Sequence, residues 1–247
     1  MITIIIPCYN EEEIIKDFIN ELHLNVKNIK EDFEIIFINN KSNDKTIDII
    51  KENIKVFTNY KIISLSNYFG KEAAILSGLD VSKGQATIVM DPDLEDPPKL
   101  ITTLIDKWKE GYDVVYAKRK TTETTLVKKI MRKIFYLLFK NFVNQKYLIP
   151  ENTGDFRLLN QKVVSQIINM RERTRFLRGL VSFIGYKQFG IEFDRPFRKK
   201  GNSKSNISFL IKYGFDAIFS STSGPAGLIT KIGIFSISIV FFISTFI

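Results

Sequence analysis

Short apolar, β-branched runs alternate with stretches of helical periodicity through the first 118 residues. Ile2–Ile6, Glu34–Ile38, Lys61–Leu65, Ala86–Met90 and Asp113–Tyr116 read as strands; Glu11–Val26, Asp44–Ile54, Lys71–Val81 and Pro98–Lys109 read as helices. Strand–helix alternation predicts an α/β chain, with a parallel sheet covered by helices on both faces. Ligands of such sheets bind beyond the carboxyl ends of the strands. That places interest on Pro7–Glu11, Asn39–Asp44, Ser66–Glu72 and Asp91–Asp96.

Composition narrows the chemistry. A single cysteine, Cys8, excludes an intramolecular disulfide, and a single histidine, His23, excludes a His-rich metal site. A metal would have to be a hard cation held by carboxylates and phosphates. With 36 Lys and Arg against 27 Asp and Glu, the net charge of +9 points to an anionic partner. Nucleic acid is disfavoured. The basic residues cluster beside apolar stripes, and no nucleic-acid-binding motif appears.

The second half changes character. Leu126, Ile130, Ile134, Leu138 and Phe142 recur at helical spacing with Lys128, Lys129, Arg132 and Lys133 between them, so about 121–146 reads as a basic amphipathic helix. An ordinary core-facing helix fits the same pattern. Residues 203–224 repeat the theme with Ile207, Leu210, Ile211, Phe215, Ile218 and Phe219, and a lipid-interface helix is preferred there. Gln188–Arg198 reads as a hairpin. Ile232–Ile247 carries no charge. As a helix this run covers about 24 Å, and extension back to Gly227 brings it close to the roughly 30 Å of hydrocarbon. Residues 225–247 are therefore expected to form a transmembrane helix rather than a buried core helix. Arg195, Arg198, Lys199, Lys200, Lys204, Lys212 and Lys231 upstream place the globular part, 1–202, on the cytoplasmic side of the membrane. The N-terminus lacks the basic start and apolar length of a signal peptide.

The densest chemistry is IVMDPDLEDPP (88–98), an apolar strand opening into Asp91, Asp93, Glu95 and Asp96. Carboxylates at i and i+2 can face one cation, and Mg2+ or Mn2+ suits few carboxylates completed by phosphates. Such an ion would clamp a diphosphate and offset the charge of its departure. A solvated acidic turn before the Pro98 helix is the competing reading.

Together with PCYNEEE (7–13), NNKSNDKT (39–46), SNYFGKEAAILSGLD (66–80), AKRK (117–120), GDFRLLN (154–160), RFLRGLVSFIGYKQ (175–188) and RPFRKKGNSKSN (195–206), the acidic stretch resembles the family 2 glycosyltransferases. The similar branch is that of polyprenyl-phosphate glycosyltransferases: bactoprenol glucosyltransferases and dolichol-phosphate mannose synthases. The resemblance implies a GT-A, Rossmann-like fold with a mostly parallel sheet flanked by helices. It also implies inverting transfer of a hexose, glucose by preference, from a UDP-sugar to a polyprenyl phosphate, with Mg2+ or Mn2+. A GDP-mannose enzyme and a non-catalytic nucleotide-sugar-binding membrane scaffold are the alternatives. The branch usually ends in two transmembrane helices, so a second span is expected beyond Ile247. Membrane lipid is an expected partner, and a homo-oligomer is allowed.

Residue by residue, the resemblance assigns Pro7, Tyr9, Glu11, Asn39, Asn40, Lys71, Asp91 and Asp93 to the nucleotide sugar. Asp91, Asp93 and Glu95 go to the metal. Asn39 and Asn40 stand where the family usually has acids, and Glu95 where this branch usually has Gln. Arg119, Arg132, Arg198, Lys200, Ser203 and Lys204 are assigned to phosphates, the last four in a basic loop that can equally be a polybasic patch attracted to anionic lipid. Asp155 occupies the position of a catalytic base near the acceptor, and Asp93 is the second catalytic residue. A polyprenyl monophosphate is already largely ionised near neutral pH, so Asp155 can instead orient the acceptor.

Overall fold

The structure, a computed structural model, describes residues 1–120, 149–170 and 176–196, with Lys133 and Thr230. The chain divides into two compact units. Met1–Glu123 with Ile149–Lys204 form the first; the second, Thr124–Leu148 with Ser205–Ile247, lies outside the described residues apart from Lys133 and Thr230. The helices expected at 121–146 and 203–224, and the span expected at 225–247, therefore lie outside the described residues too. Among the described residues no helix is long and apolar enough to cross a membrane.

The first unit is built on seven strands: β1 (Ile2–Cys8), β2 (Phe33–Asn39), β3 (Tyr60–Ser64), β4 (Ala86–Val89), β5 (Val114–Arg119), β6 (Thr153–Asn160) and β7 (Gln188–Phe193). Between them run α1 (Ile15–Val26), α2 (Thr46–Asn53), α3 (Lys71–Val81), α4 (Leu100–Lys109), α5 (Gln161–Asn169) and α6 (Leu177–Ile184). The strand order is β3-β2-β1-β4-β6-β5-β7. All described pairings are parallel except those of β6, which runs antiparallel between β4 and β5.

Period-two alternation explains how one sheet feeds two cores. Ile2, Ile4, Ile6 and Cys8 of β1 face the side covered by α1, α2 and α4, together with Phe37, Ile88, Phe156 and Leu158. Ile5 faces the other side, with Ile36, Ile38, Val89, Leu159 and residues of α3, α5 and α6. Strands buried on both faces read as near-continuous apolar runs, which is why ITIIIPC and FEIIFIN stand out in the sequence. Pro7 is tolerated in a central strand because β1 pairs with β4 only as far as Ile5. Beyond that point β1 has one hydrogen-bonded neighbour, and the proline costs no ladder bond.

Two expectations are corrected. Helix α1 begins at Ile15, not Glu11, because Glu11 is held in the preceding turn by its N–H donating to Thr46 Oγ1 (2.7 Å). The segment after Gln188 is no hairpin: β7 pairs parallel with β5, from Val114–Gln188 to Arg119–Phe193. GDFRLLN, left unassigned by its pattern, is a central strand antiparallel to both neighbours, and the sheet is mostly parallel, as expected.

The amino-terminal edge of the sheet is held by one buried acid. Glu34, 2% exposed, accepts from Thr3 Oγ1 (2.8 Å), the Lys83 N–H (3.2 Å) and Lys61 Nζ (2.6 Å). Burial pushes its carboxyl upward, but the hydrogen bonds from Lys61, Thr3 and Lys83 outweigh this and hold it below its ordinary 4.5. The folded state therefore gains stability from Glu34 above that pH and loses it as pH falls. Glu34→Gln should cost about 1–3 kcal/mol near neutral pH in denaturant titrations. The difference from wild type should shrink at pH values below 4.5; an equal loss at acid pH would contradict the charge's role.

Candidate functional site

The carboxyl ends of β1 to β4 open into four loops, and each contains one residue in the left-handed backbone region: Asn10 (φ 51°), Lys41 (φ 62°), Gly70 (φ 88°) and Leu94 (φ 60°). A left-handed residue turns the chain sharply and aims its neighbours back over the sheet. For Leu94 this is costly, on the order of 1–3 kcal/mol, and its side chain is 9% exposed, so core burial offsets the strain.

The first two loops are laced together. The Asn10 N–H donates to Ser42 Oγ (3.0 Å), and the Asn43 N–H donates to Asn10 Oδ1 (2.8 Å). Asn39 Oδ1 accepts from the Ser42 N–H (2.9 Å) and its amide donates to Ser64 Oγ (3.4 Å), while Asn40 Oδ1 accepts from the Phe69 N–H (3.1 Å). Both asparagines are buried, and these bonds tie the β2 loop to β3 and to the loop after it. Asn39 thus makes the side-chain turn such residues favour. Tyr9, at the end of β1, sets its ring 4.4 Å from that of Tyr68, whose neighbour Phe69 is 58% exposed. Pro7 and Glu11 flank Tyr9 on the same strand end.

The acidic loop follows β4. Carrying the antiparallel register two residues past Val89–Arg157 sets Asp91 level with Asp155 of β6. Alternation along β6 turns Asp155 and Arg157 to the face of Leu159, which is the face covered by α3 and α6. Lys71 opens α3, and its ammonium joins the two acids, 2.7 Å from Asp91 Oδ2 and 2.7 Å from Asp155 Oδ2. Arg178 of α6 takes the other oxygen: its Nε donates to Asp155 Oδ1 at 2.9 Å, and its Nη1 donates to the Thr153 carbonyl (3.3 Å). The Phe176 ring lies 5.6 Å from the guanidinium carbon. Arg157 Nη2 donates to the Gly154 carbonyl (2.6 Å). Arg119 lies so close to Gly154 that a Cβ there would meet its Nη2 at 3.1 Å. Glu72, next to Lys71, accepts from the Leu177 N–H (3.1 Å), fixing the start of α6 against the start of α3.

Charge in this cluster is strongly redistributed. Burial pushes the Asp155 carboxyl up, but Arg178 and Lys71 outweigh it and hold the group well below the usual carboxylate range. Lys71 is held well above its ordinary value: burial opposes the charge, and Asp155 and Asp91 more than restore it. Asp91 is raised, by burial first, with Asp93 and Asp155 adding to it against Lys71. Asp96, 3% exposed, is pushed up to about 8 by burial and by Asp91 and Asp93 nearby. Asp93, 7% exposed, accepts from the Glu95 N–H (3.0 Å), and Glu95 forms an ion pair with Arg195.

Among the described residues no group of three or more His, Cys, Asp and Glu side chains forms a ready cage for a metal. Mg2+ and Mn2+ need none where one or two carboxylates are completed by phosphate oxygens. The donor set fits that case: burial first, and then the charges of Asp91 and Asp93, push the Asp96 carboxyl up to about 8, and a cation beside these acids would relieve their mutual repulsion.

The structure thus brings Lys71, Asp91, Asp155 and Arg119 together beside the Asp93 loop, with Asn39, Asn40 and Tyr9 on the neighbouring strand ends. Arg132, Arg198, Lys200, Ser203 and Lys204 lie outside the described residues. Sequence reasoning missed Arg178, and it singled out Asp96 without giving it a role. Arg178 sits inside RFLRGLVSFIGYKQ, but only the packing of α6 on β6 gives it a partner.

Because the folded protein keeps a proton on Asp96 that the unfolded chain releases near 3.8, the contribution of Asp96 to stability is full below that pH and declines as pH rises toward about 8. Asp96→Asn should flatten this decline in metal-free thermal melts; an unchanged slope would show that Asp96 does not hold the proton.

Comparison with known proteins agrees with this geometry. The sequence pattern described as "Glycosyl transferase family 2" matches residues 3–168. An uncharacterised glycosyltransferase of Synechocystis sp. is 41% identical over 94% of the chain and 73% of its own length. The prophage bactoprenol glucosyl transferase homolog of Escherichia coli K12 is 37% identical over 97% of the chain and 78% of its own length. Among solved structures, glucosyl-3-phosphoglycerate synthase from Mycobacterium tuberculosis, in complex with Mn2+, UDP-glucose and phosphoglyceric acid, superposes with a TM-score of 0.59 at 16% identity. It covers 88% of this chain and 77% of its own, a likeness of fold. The mostly parallel sheet flanked by helices, the acidic loop at its carboxyl edge and the relatedness along nearly the whole sequence have one explanation: the chain belongs to glycosyl transferase family 2 and is a glycosyltransferase.

Proposed function

We propose that the enzyme transfers a hexose, glucose by preference, from a UDP-sugar to a polyprenyl phosphate at the cytoplasmic face of the membrane, inverting the anomeric carbon. The observation that carries this reading is the meeting of the Asp91–Asp93 loop with Asp155 across a single lysine ammonium. A donor diphosphate and an acceptor phosphate both need cations close by, and Lys71, Arg178 and Arg119 converge beside Asp155. The bactoprenol names of relatives that match nearly the whole chain support the lipid acceptor. The uncharged run from Ile232 and the basic residues before it support membrane attachment.

In this reading the half-buried Tyr9, its exposed partner Tyr68 and the laced loops after β1 and β2 hold the base and ribose, with Pro7, Glu11, Asn39 and Asn40 shaping that pocket. Asp93, with Asp91, would hold a divalent ion, which supplies positive charge to the leaving diphosphate. Glu95 keeps its ion pair with Arg195 and shapes the loop. Arg132, Arg198, Lys200, Ser203 and Lys204 would serve the donor diphosphate or the acceptor phosphate. Asp155 has both oxygens engaged by cations and stays ionised. Its work is orientation, since an acceptor phosphate is already charged near neutral pH and needs no proton removed.

Purified protein, given undecaprenyl phosphate and a panel of nucleotide sugars, should release UDP from UDP-glucose only when the lipid is present. Asp93→Ala should lower turnover by about 100- to 1000-fold without changing the melting temperature. Release of GDP from GDP-mannose instead would change the donor; lipid-independent release, or full turnover in Asp93→Ala, would overturn the mechanism.

A further inference from the structure

Lys71 is placed against the local field of its own helix. It is the first residue of α3, where the unpaired N–H groups and the helix dipole favour anions, and a lysine there is disfavoured unless carboxylates hold it. Two do, each at 2.7 Å. The two ion pairs are unlike. Asp155 is 4% exposed and gripped on its other oxygen by Arg178, whereas the Asp91 side chain is 25% exposed and the Lys71 side chain 40%. Breaking the Asp155 pair would strip a buried carboxylate of one counter-ion, which is costly. Breaking the Asp91 pair returns its groups toward water, so the bridge opens on the Asp91 side.

A divalent ion bound to a carboxylate oxygen stands roughly 2.1 Å from it. An ion so placed on Asp91 would lie within a few ångströms of the ammonium, and two cations cannot share that oxygen cheaply. We propose that Lys71 is a resident counter-ion that the divalent cation must displace from Asp91, and that the displaced ammonium, still anchored by Asp155, then donates to an anionic oxygen of the acceptor phosphate. This rests on the metal-dependent reading above and deepens it. Metal arrival is coupled to completion of the acceptor site, because one lysine serves both. The flexible four-carbon stem of lysine allows the swing without moving α3. Arg178, held by Asp155, the Thr153 carbonyl and the Phe176 ring, keeps Asp155 in place while Lys71 moves.

The test is Mn2+ binding to the full chain, read by loss of the free-ion electron paramagnetic resonance signal, without nucleotide. Lys71→Met removes the competing charge and should bind Mn2+ roughly tenfold tighter than wild type, while Lys71→Arg, which keeps the charge, should stay near wild type. In steady-state assays Lys71→Met should also raise the KM for the polyprenyl phosphate more than the KM for the nucleotide sugar. Where Lys71→Met does not fold, Lys71→Gln makes the same comparison. Equal or weaker Mn2+ binding in the neutral variants, or tightening in Lys71→Arg as well, would overturn the counter-ion role. A wild-type protein that binds no Mn2+ even with UDP present would overturn the metal-dependent reading, and this inference with it.

Discussion

The antiparallel pairing of β6 with β4 is the constraint on which the site depends. From Ala86–Asn160 to Val89–Arg157 the register is regular, and its continuation leaves Asp91 and Asp155 side by side at the carboxyl edge of the sheet. A shift of one residue would turn Asp155 and Arg157 to the opposite face, away from α3 and α6. Every contact of the charged cluster follows from that alignment. Lys71 can reach both acids only because they are level, and Arg178 reaches Asp155 only because α6 packs on the same face. Apolar neighbours on both faces of β4 and β6 hold the alignment: Ile88, Phe156 and Leu158 on one, Val89 and Leu159 on the other.

Around this edge the protein concentrates opposing charges in a partly dry setting, where each is worth more than in water. Asp155 is over-compensated by cations and stays ionised; Asp96 is under-compensated and holds a proton. Neighbouring acids driven in opposite directions by their surroundings are a feature of functional sites. The left-handed Leu94 is another such feature, since strain of that kind persists where the surrounding core over-determines it.

The legible and illegible parts of the sequence divide along physical lines. Strands β1, β2 and β4 are readable because burial on both faces demands runs such as ITIIIP and EIIFI, and the helical pattern over Lys71–Val81 coincides with the observed α3. β6 was not readable as a strand, because Asp155 and Arg157 interrupt its apolar pattern; those residues serve the site at the expense of the pattern. β7, QFGIEF, is partly exposed along much of its length and carries too little apolar signal to reveal a parallel partner 74 residues away. The acidic loop was legible by its density of carboxylates at a strand end. The pairing of Lys71 with Asp155, and of Arg178 with the same acid, joins residues 84 and 23 positions apart, and no local pattern encodes such distances. Asn39 and Asn40 show the converse: a departure visible in the sequence, whose use as braces between loops only the fold displays.

Location of the divalent ion is the most direct check on this picture. A crystal of the protein with Mn2+ and UDP, measured at an X-ray energy where manganese scatters anomalously, should show one strong peak within bonding distance of an Asp93 carboxylate oxygen and of the diphosphate. The Lys71 ammonium should have withdrawn from Asp91 while remaining on Asp155. An anomalous peak elsewhere, or diphosphate bound beside an intact Lys71–Asp91 pair with no manganese, would contradict it.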